Sequence, residues 1–221
     1  MPKHIRTSIA VTALGLVVLL LAAPFLAPRA LPPATAAQKA VRELAAVAPI
    51  EVKWNEATGT PDWLDGPLPY ALSRAERADP ELAARNALNQ YRNIFGIQNA
   101  FAEFQLIRIE TDSLGQSHVR LQQIKDGLPV FGRVLIVHLG ETNALGINGD
   151  FQPGLDLATV PSLTAAQAES QALAAGDGLS PQVFAPGRLT IYIDDTTHKP
   201  SLAWQIFISA LAPAERIAYF V

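Results

Sequence analysis

The chain has 221 residues, with 17 prolines and no cysteine, and its 17 Lys and Arg against 20 Asp and Glu leave a net charge of −3. Lack of cysteine excludes a disulfide scaffold, thiol catalysis and cysteine-ligated zinc or iron–sulfur sites. The slight acidity excludes a nucleic-acid binder that works through massed Lys and Arg, while 49% apolar residues suffice for a core in one large domain or two small ones.

Residues 1–36 read as a signal peptide or membrane anchor. Lys3, His4 and Arg6 form a basic start, an apolar run begins at Ile9, and Pro24 closes it. That order is the pattern of an export signal, and Ala34-Thr35-Ala36 has the small-x-small form of a cleavage site. If uncleaved, residues 9–27 are near the shortest stretch that spans a bilayer. Either way the rest of the chain is expected outside the cytoplasm, secreted or anchored on the outer side.

Residues 37–78 are rich in Pro and Ala and read as an extended lead segment. Within it a short helix is expected over 36–47 and a strand over Ile50–Asn55, where Ile50, Val52 and Trp54 alternate with polar residues. Gly59-Thr60-Pro61-Asp62 is read as its end.

Residues 79–151 form the first predicted unit. Asp79-Pro80-Glu81 is a helix start, because Asp caps, Pro fits the first turn and Glu suits the positive helix end. Ala84, Ala87, Leu88, Tyr91 and Phe95 then share one face, and Gly96 stops the helix. Four strands are predicted over 104–110, 118–124, 130–139 and 144–148. Asp112–Gly115 is a turn, and Asp126-Gly127 is a strong hairpin signal.

Gln152–Ser162, with Pro153, Gly154 and Pro161, reads as a linker. The second predicted unit, 163–221, starts at a capping box, Thr164-Ala-Ala-Gln167, which leads a helix over 165–175 ending at Gly176. Strands follow over 189–193, 202–209 and 217–221. The fold class is thus α+β: two consecutive helix-plus-antiparallel-sheet units after an N-terminal export segment.

No catalytic constellation is visible. His4, His118, His138 and His198 belong to no H-E-x-x-H run, and the chain contains no G-x-S-x-G, P-loop or G-x-G-x-x-G sequence. Asp194-Asp195 reads as a polar turn. Trp54, Trp63 and Trp204 are too dispersed for a base-stacking platform and read as buried or interface aromatics.

The informative stretch is 103–151. If residues 127–129 form the hairpin tip, positions summing to 256 face each other. His118 then opposes His138, with Val119, Leu121, Leu135 and Val137 on the inner face. His118, Arg120, Gln122 and His138 fall on the other face. Such a face is a solvated outer surface, a docking face for a partner, or, with least support, a two-histidine metal site lacking a third ligand.

The same stretch resembles the fungalysin/thermolysin propeptide domain. The matching positions are Asp112, Gly115, His118, Val119, Arg120, Gln122, Gln123, Gly127, Pro129, Val130, Phe131, Gly132, Val137, His138, Leu139, Asn148 and Gly149. Residues 163–221, with Leu202-Ala-Trp-Gln-Ile206 in a strand, resemble a PepSY domain. The resemblance implies two cystatin-like units and an exported precursor of a thermolysin-like zinc metalloendopeptidase. In such a precursor the propeptide helps the catalytic domain fold and blocks it until removed. It further implies a chain that is no enzyme itself and holds no cofactor, with zinc and calcium confined to the catalytic domain. The partner would be that domain, in cis or in trans, with His118, Arg120, Gln122 and His138 as the docking face. The chain stops at Ala218-Tyr-Phe-Val221, inside an apparent strand, which reads as truncation before the protease. The alternative is a free-standing or membrane-anchored PepSY-type inhibitor acting in trans.

Overall fold

A computed structural model describes residues 35–175, 180–211 and 214–221. The expected export segment lies outside the described residues, apart from Thr35 and Ala36, and so does the helix stop at Gly176.

Helix α1 (Ala36–Ala45) starts at a capping box, in which the Thr35 side chain accepts from the Gln38 backbone and Gln38 answers to the cap. Strands β1 (Glu51–Trp54) and β2 (Pro61–Asp65) then pair antiparallel. The lead segment is therefore not simply extended. Asn55–Gly59 closes as a turn, and the chain resumes as a strand with Pro61 at its first position, where a missing N–H costs least.

Three short helices and one longer one follow: α2 (Arg74–Ala78), α3 (Pro80–Gln90), α4 (Arg92–Phe95) and α5 (Ala100–Glu103). Asp79 caps α3 with Pro80 in its first turn, as predicted. The single helix expected to run on to Gly96 is broken at Tyr91, and Gly96 ends α4 in the left-handed conformation. Ala83, Ala84, Ala87 and Leu88 of α3 are fully buried, and three methyl-sized side chains let the helix lie close against the sheet.

Strands β3 (Phe104–Thr111), β4 (Ser117–Lys125), β5 (Leu128–Leu139) and β6 (Ala144–Gly149) form the predicted antiparallel meander. Strand β2 adds to β6, so the order is β1-β2-β6-β5-β4-β3. Val119, Leu121, Leu135 and Val137 are fully buried on the inner face with Ile147, Phe95 and Phe104. Gly149 has φ +123°, and a Cβ there would sit 2.1 Å from the Val134 carbonyl oxygen, so only glycine fits.

Helix α6 (Ala165–Ala175) precedes three long antiparallel strands, β7 (Gln182–Ile193), β8 (Pro200–Leu211) and β9 (Ala214–Phe220). The 152–162 stretch carries neither helix nor strand. Yet the second group of strands is not a separate sheet. β7 pairs in parallel with β5 through Val130 and Ile191, and the Thr190 hydroxyl donates to the Pro129 carbonyl at 2.9 Å. The result is an α+β fold on one mixed, curled nine-stranded sheet, with residues 34–221 in one compact unit.

Candidate functional site

The outer face of the meander is set by the β4–β5 register. His118 pairs with His138, Arg120 with Ile136 and Gln122 with Val134, the arrangement expected from the sequence. The route to it differs. The hairpin tip is Asp126-Gly127, both with positive φ, and pairs beside it sum to 253 (Ile124 with Pro129, Lys125 with Leu128). A bulge in β5 between Pro129 and Val134, where Gly132 has φ +72°, restores 256 beyond it.

That bulge explains Gln122. Its side-chain amide donates to the carbonyls of Val130 at 2.7 Å, Arg133 at 2.8 Å and its neighbour Gln123 at 3.1 Å. Its two hydrogens are shared among these carbonyls, two of which, those of Val130 and Arg133, lie in the bulged stretch. Gln123, only 2% exposed, makes a two-way bond with the Gln152 backbone (2.7 and 2.9 Å) and pins the start of the 152–162 stretch.

The two histidines are joined. Nδ1 of His118 lies 2.7 Å from Nδ1 of His138, so one ring donates to the other. Nε2 of His118 faces the Asp112 carboxylate at 3.2 Å, and Nε2 of His138 faces the side-chain oxygen of Asn148. The four residues form one chain: Asp112, His118, His138, Asn148. The Asp112 carboxyl is held below its usual range, first by backbone N–H donors of its own turn and then by His118.

Arg120 differs from its neighbours. Its Nε is buried without a hydrogen-bond partner, and its guanidinium enters no ion pair among the described residues. Arg108, its cross-strand neighbour on β3, is paired with Glu110 at 3.2 Å. Glu110, His118, Arg120, Ile136 and His138 line a shallow depression of about 280 Å³. Trp63 borders this face from β2, 43% exposed, with its ring centroid 6.4 Å from that of His138.

Sequence reasoning grouped His118, Arg120, Gln122 and His138 correctly on one face. It assigned no part in that face to Asp112, Glu110, Asn148 or Trp63. Asp112 and Asn148 were among the resemblance positions, so a signal for them existed. For Trp63 the sequence offers only a buried or interface aromatic, since no strand is expected after the break at 59–62. Among the described residues no group of three His, Asp or Glu could hold a metal ion. No described helix is long and apolar enough to cross a membrane.

Comparison with known proteins gives this face a context. Residues 102–151 match the Fungalysin/Thermolysin Propeptide Motif. The matched span holds all of β3–β6, and with them Glu110, Asp112, His118, Arg120, His138 and Asn148. Over 170 residues the chain is 31% identical to "Thermolysin" of Alicyclobacillus acidocaldarius subsp. acidocaldarius, covering 72% of this chain and 30% of that protein. "Bacillolysin" of Bacillus caldolyticus is 28% identical over 170 residues, again 72% of this chain and 30% of that protein. "Bacillolysin" of Bacillus cereus is 23% identical over 175 residues, 76% of this chain and 30% of that protein. The chain thus spans about a third of the length of these relatives, and its match to the Fungalysin/Thermolysin Propeptide Motif covers 102–151.

Proposed function

We propose that this chain is the propeptide region of an exported thermolysin-like zinc metalloendopeptidase precursor, acting as folding aid and autoinhibitor of the catalytic domain. The propeptide-motif match over 102–151 carries the reading. Zinc and its chemistry belong to the catalytic domain, and this chain's part is to bind. Residues 1–36 direct export, and 163–221 act as a PepSY-like second unit.

The physical logic is that of any binding-coupled folding aid. A surface that recognises the native partner over its unfolded chain stabilises the native form by mass action. Occlusion needs a patch of roughly 800 Å² per partner. The outer face of β2–β6 supplies a polar and aromatic surface with an unpaired guanidinium at its centre, and Trp and Arg are the residue types that dominate interfaces.

The test is inhibition of a purified thermolysin-like protease by the full chain, followed by Arg120→Ala. We expect inhibition by the wild type and about thirtyfold weaker inhibition by the variant, on the order of 2 kcal/mol. Because Arg120 has no partner inside its own sheet, the variant's Tm should barely move. Absence of both binding and inhibition by the wild type would refute the proposal. A Tm drop of several degrees that tracks the lost inhibition would reassign Arg120 to bracing the sheet.

A further inference from the structure

We infer that the depression between Glu110, His118, Arg120, Ile136 and His138 is a proton-linked binding site for a carboxylate side chain of the docked partner. This rests on the docking role proposed above.

Arg120 offers donors in a fixed fork suited to a planar carboxylate, and its Nε is removed from water yet unpaired. Glu110 and Asp112, the carboxylates that face it from β3 and its turn, are otherwise engaged. Glu110 is paired with Arg108 at 3.2 Å, and Asp112 accepts from His118 and from the backbone of its own turn. Ile136, opposite Arg120, provides an apolar wall for the methylene stem of an incoming Asp or Glu.

Asp112 accepts, and the Asn148 oxygen accepts. With one further hydrogen between the rings, the chain needs three protons on two imidazoles. Two neutral imidazoles carry only two. With all three hydrogens in place the pair carries one positive charge, one ring neutral and one cationic. With one proton fewer, the chain is complete only if the Asn148 amide turns to present its nitrogen to His138. Both states are well bonded, and they differ by one unit of charge at the wall of the depression.

The groups facing the pair are Asp112 from the β3–β4 turn, Glu110 and Arg108 from β3 and Arg120 from β4 itself. From β6 comes Asn148, and from β2 come Trp63 and Asp65, the latter in the same cross-strand row as His138 through Gly146. Around the depression, Arg108 and Arg120 balance Glu110 and Asp112, and Asp65 lies farther along the row. The added imidazole proton tips the site to attract a monoanion. A dianion would meet two carboxylates already present, so the geometry favours a carboxylate over a phosphate.

The experiment has two arms. In the first, sodium acetate is titrated into the unbound full chain, with the Arg120 Nε–H and both histidine rings followed by NMR. Acetate should shift all three at pH 5.5, shift them about fivefold less at pH 8 and leave both histidine rings unshifted in Arg120→Ala. The two rings should also move together with pH, as one shared titration. In the second, binding to a catalytically inactive thermolysin-like protease should strengthen about fivefold from pH 8 to 5.5, and this gain should vanish in His118→Gln. Should that variant not fold, His138→Gln removes the other half of the pair and is read the same way. Independent ring titrations, an acetate response unchanged by pH, or a binding gain that survives both variants would overturn the inference. An acetate response without any protease binding would support the site and refute the docking reading instead.

Discussion

At the scale of single residues, the most tightly held carboxylate lies away from the candidate site. Glu76, 7% exposed, accepts from the Ser73 backbone at 2.8 Å, from Asn86 at 2.9 Å and from the Tyr70 hydroxyl. The Ser73 side chain and the Tyr70 hydroxyl foremost, then Asn86 and the Ser73 backbone, lower its pKa to about 2 from the ordinary 4.5. Burial first, and then Glu76 itself, push the Tyr70 hydroxyl the other way. The folded value of Glu76 lies below the unfolded one, so its stabilisation is complete above about pH 4.5 and lost as pH falls toward 2. The full amount is about 3 kcal/mol. Glu76→Gln keeps the shape but not the charge. Urea unfolding should find it less stable than wild type at pH 6, with the gap closing between pH 4.5 and 2. A gap independent of pH would mean that packing rather than the carboxylate holds this corner.

At the scale of elements, the β4–β5 hairpin shows what a sequence can and cannot reveal. Apolar parity was enough to place Val119, Leu121, Leu135 and Val137 inside, and hence to pair His118 with His138. The register was right although the assumed tip was not, because a turn and a bulge compensate and only their sum is fixed by the buried face. The bulge itself leaves little trace beyond Gly132, and its filler, Gln122, looks like any outward polar residue. Strand β2 was hidden for a similar reason: it is five residues long, starts at a proline and finds its partners in β1 and in the distant β6. The proton chain was half visible, since His118 and His138 follow from the register, whereas Asp112 and Asn148 join only through turn geometry and side-chain rotamer. The role of Gln122 is open to direct measurement. Gln122→Met preserves length but strips the donors from the Val130 and Arg133 carbonyls. It should cost about 1–3 kcal/mol in urea unfolding and leave protease inhibition unchanged well below Tm. Lost inhibition with intact stability would place Gln122 in the interface after all.

At the scale of the molecule, the two ends of the sheet rest on unequal cores. Under β1–β6 lies one continuous cluster that includes Phe95, Phe104, Phe151, Leu64, Leu88 and Ile147, all 2% exposed or less. Under β7–β9, α6 presents Ala168 and Ala172 to Ile206 and Ile208, so little apolar surface leaves water there. Val130, Ile191 and Ile193 form a small cluster at the seam. Stability scales with buried apolar area, and a weakly buried group of strands can open without the rest. The seam opposes this through one parallel pair, one hydroxyl bond, Thr190 to Pro129, and the Phe131 ring against Tyr192 and Phe220, contacts that couple the two ends only modestly. Native-state hydrogen exchange should therefore show β8 amides, such as those of Ala203 and Ile206, opening at a lower free energy than Val119 or Leu121 of β4. Thr190→Val deletes the hydroxyl at nearly constant volume and leaves the Pro129 carbonyl short of a donor. It should speed exchange in β8 while the β4 amides hold their rate. Equal opening free energies at both ends, unchanged by Thr190→Val, would show instead that the curled sheet folds and unfolds as a single cooperative body, with the parallel seam far stronger than its few contacts imply.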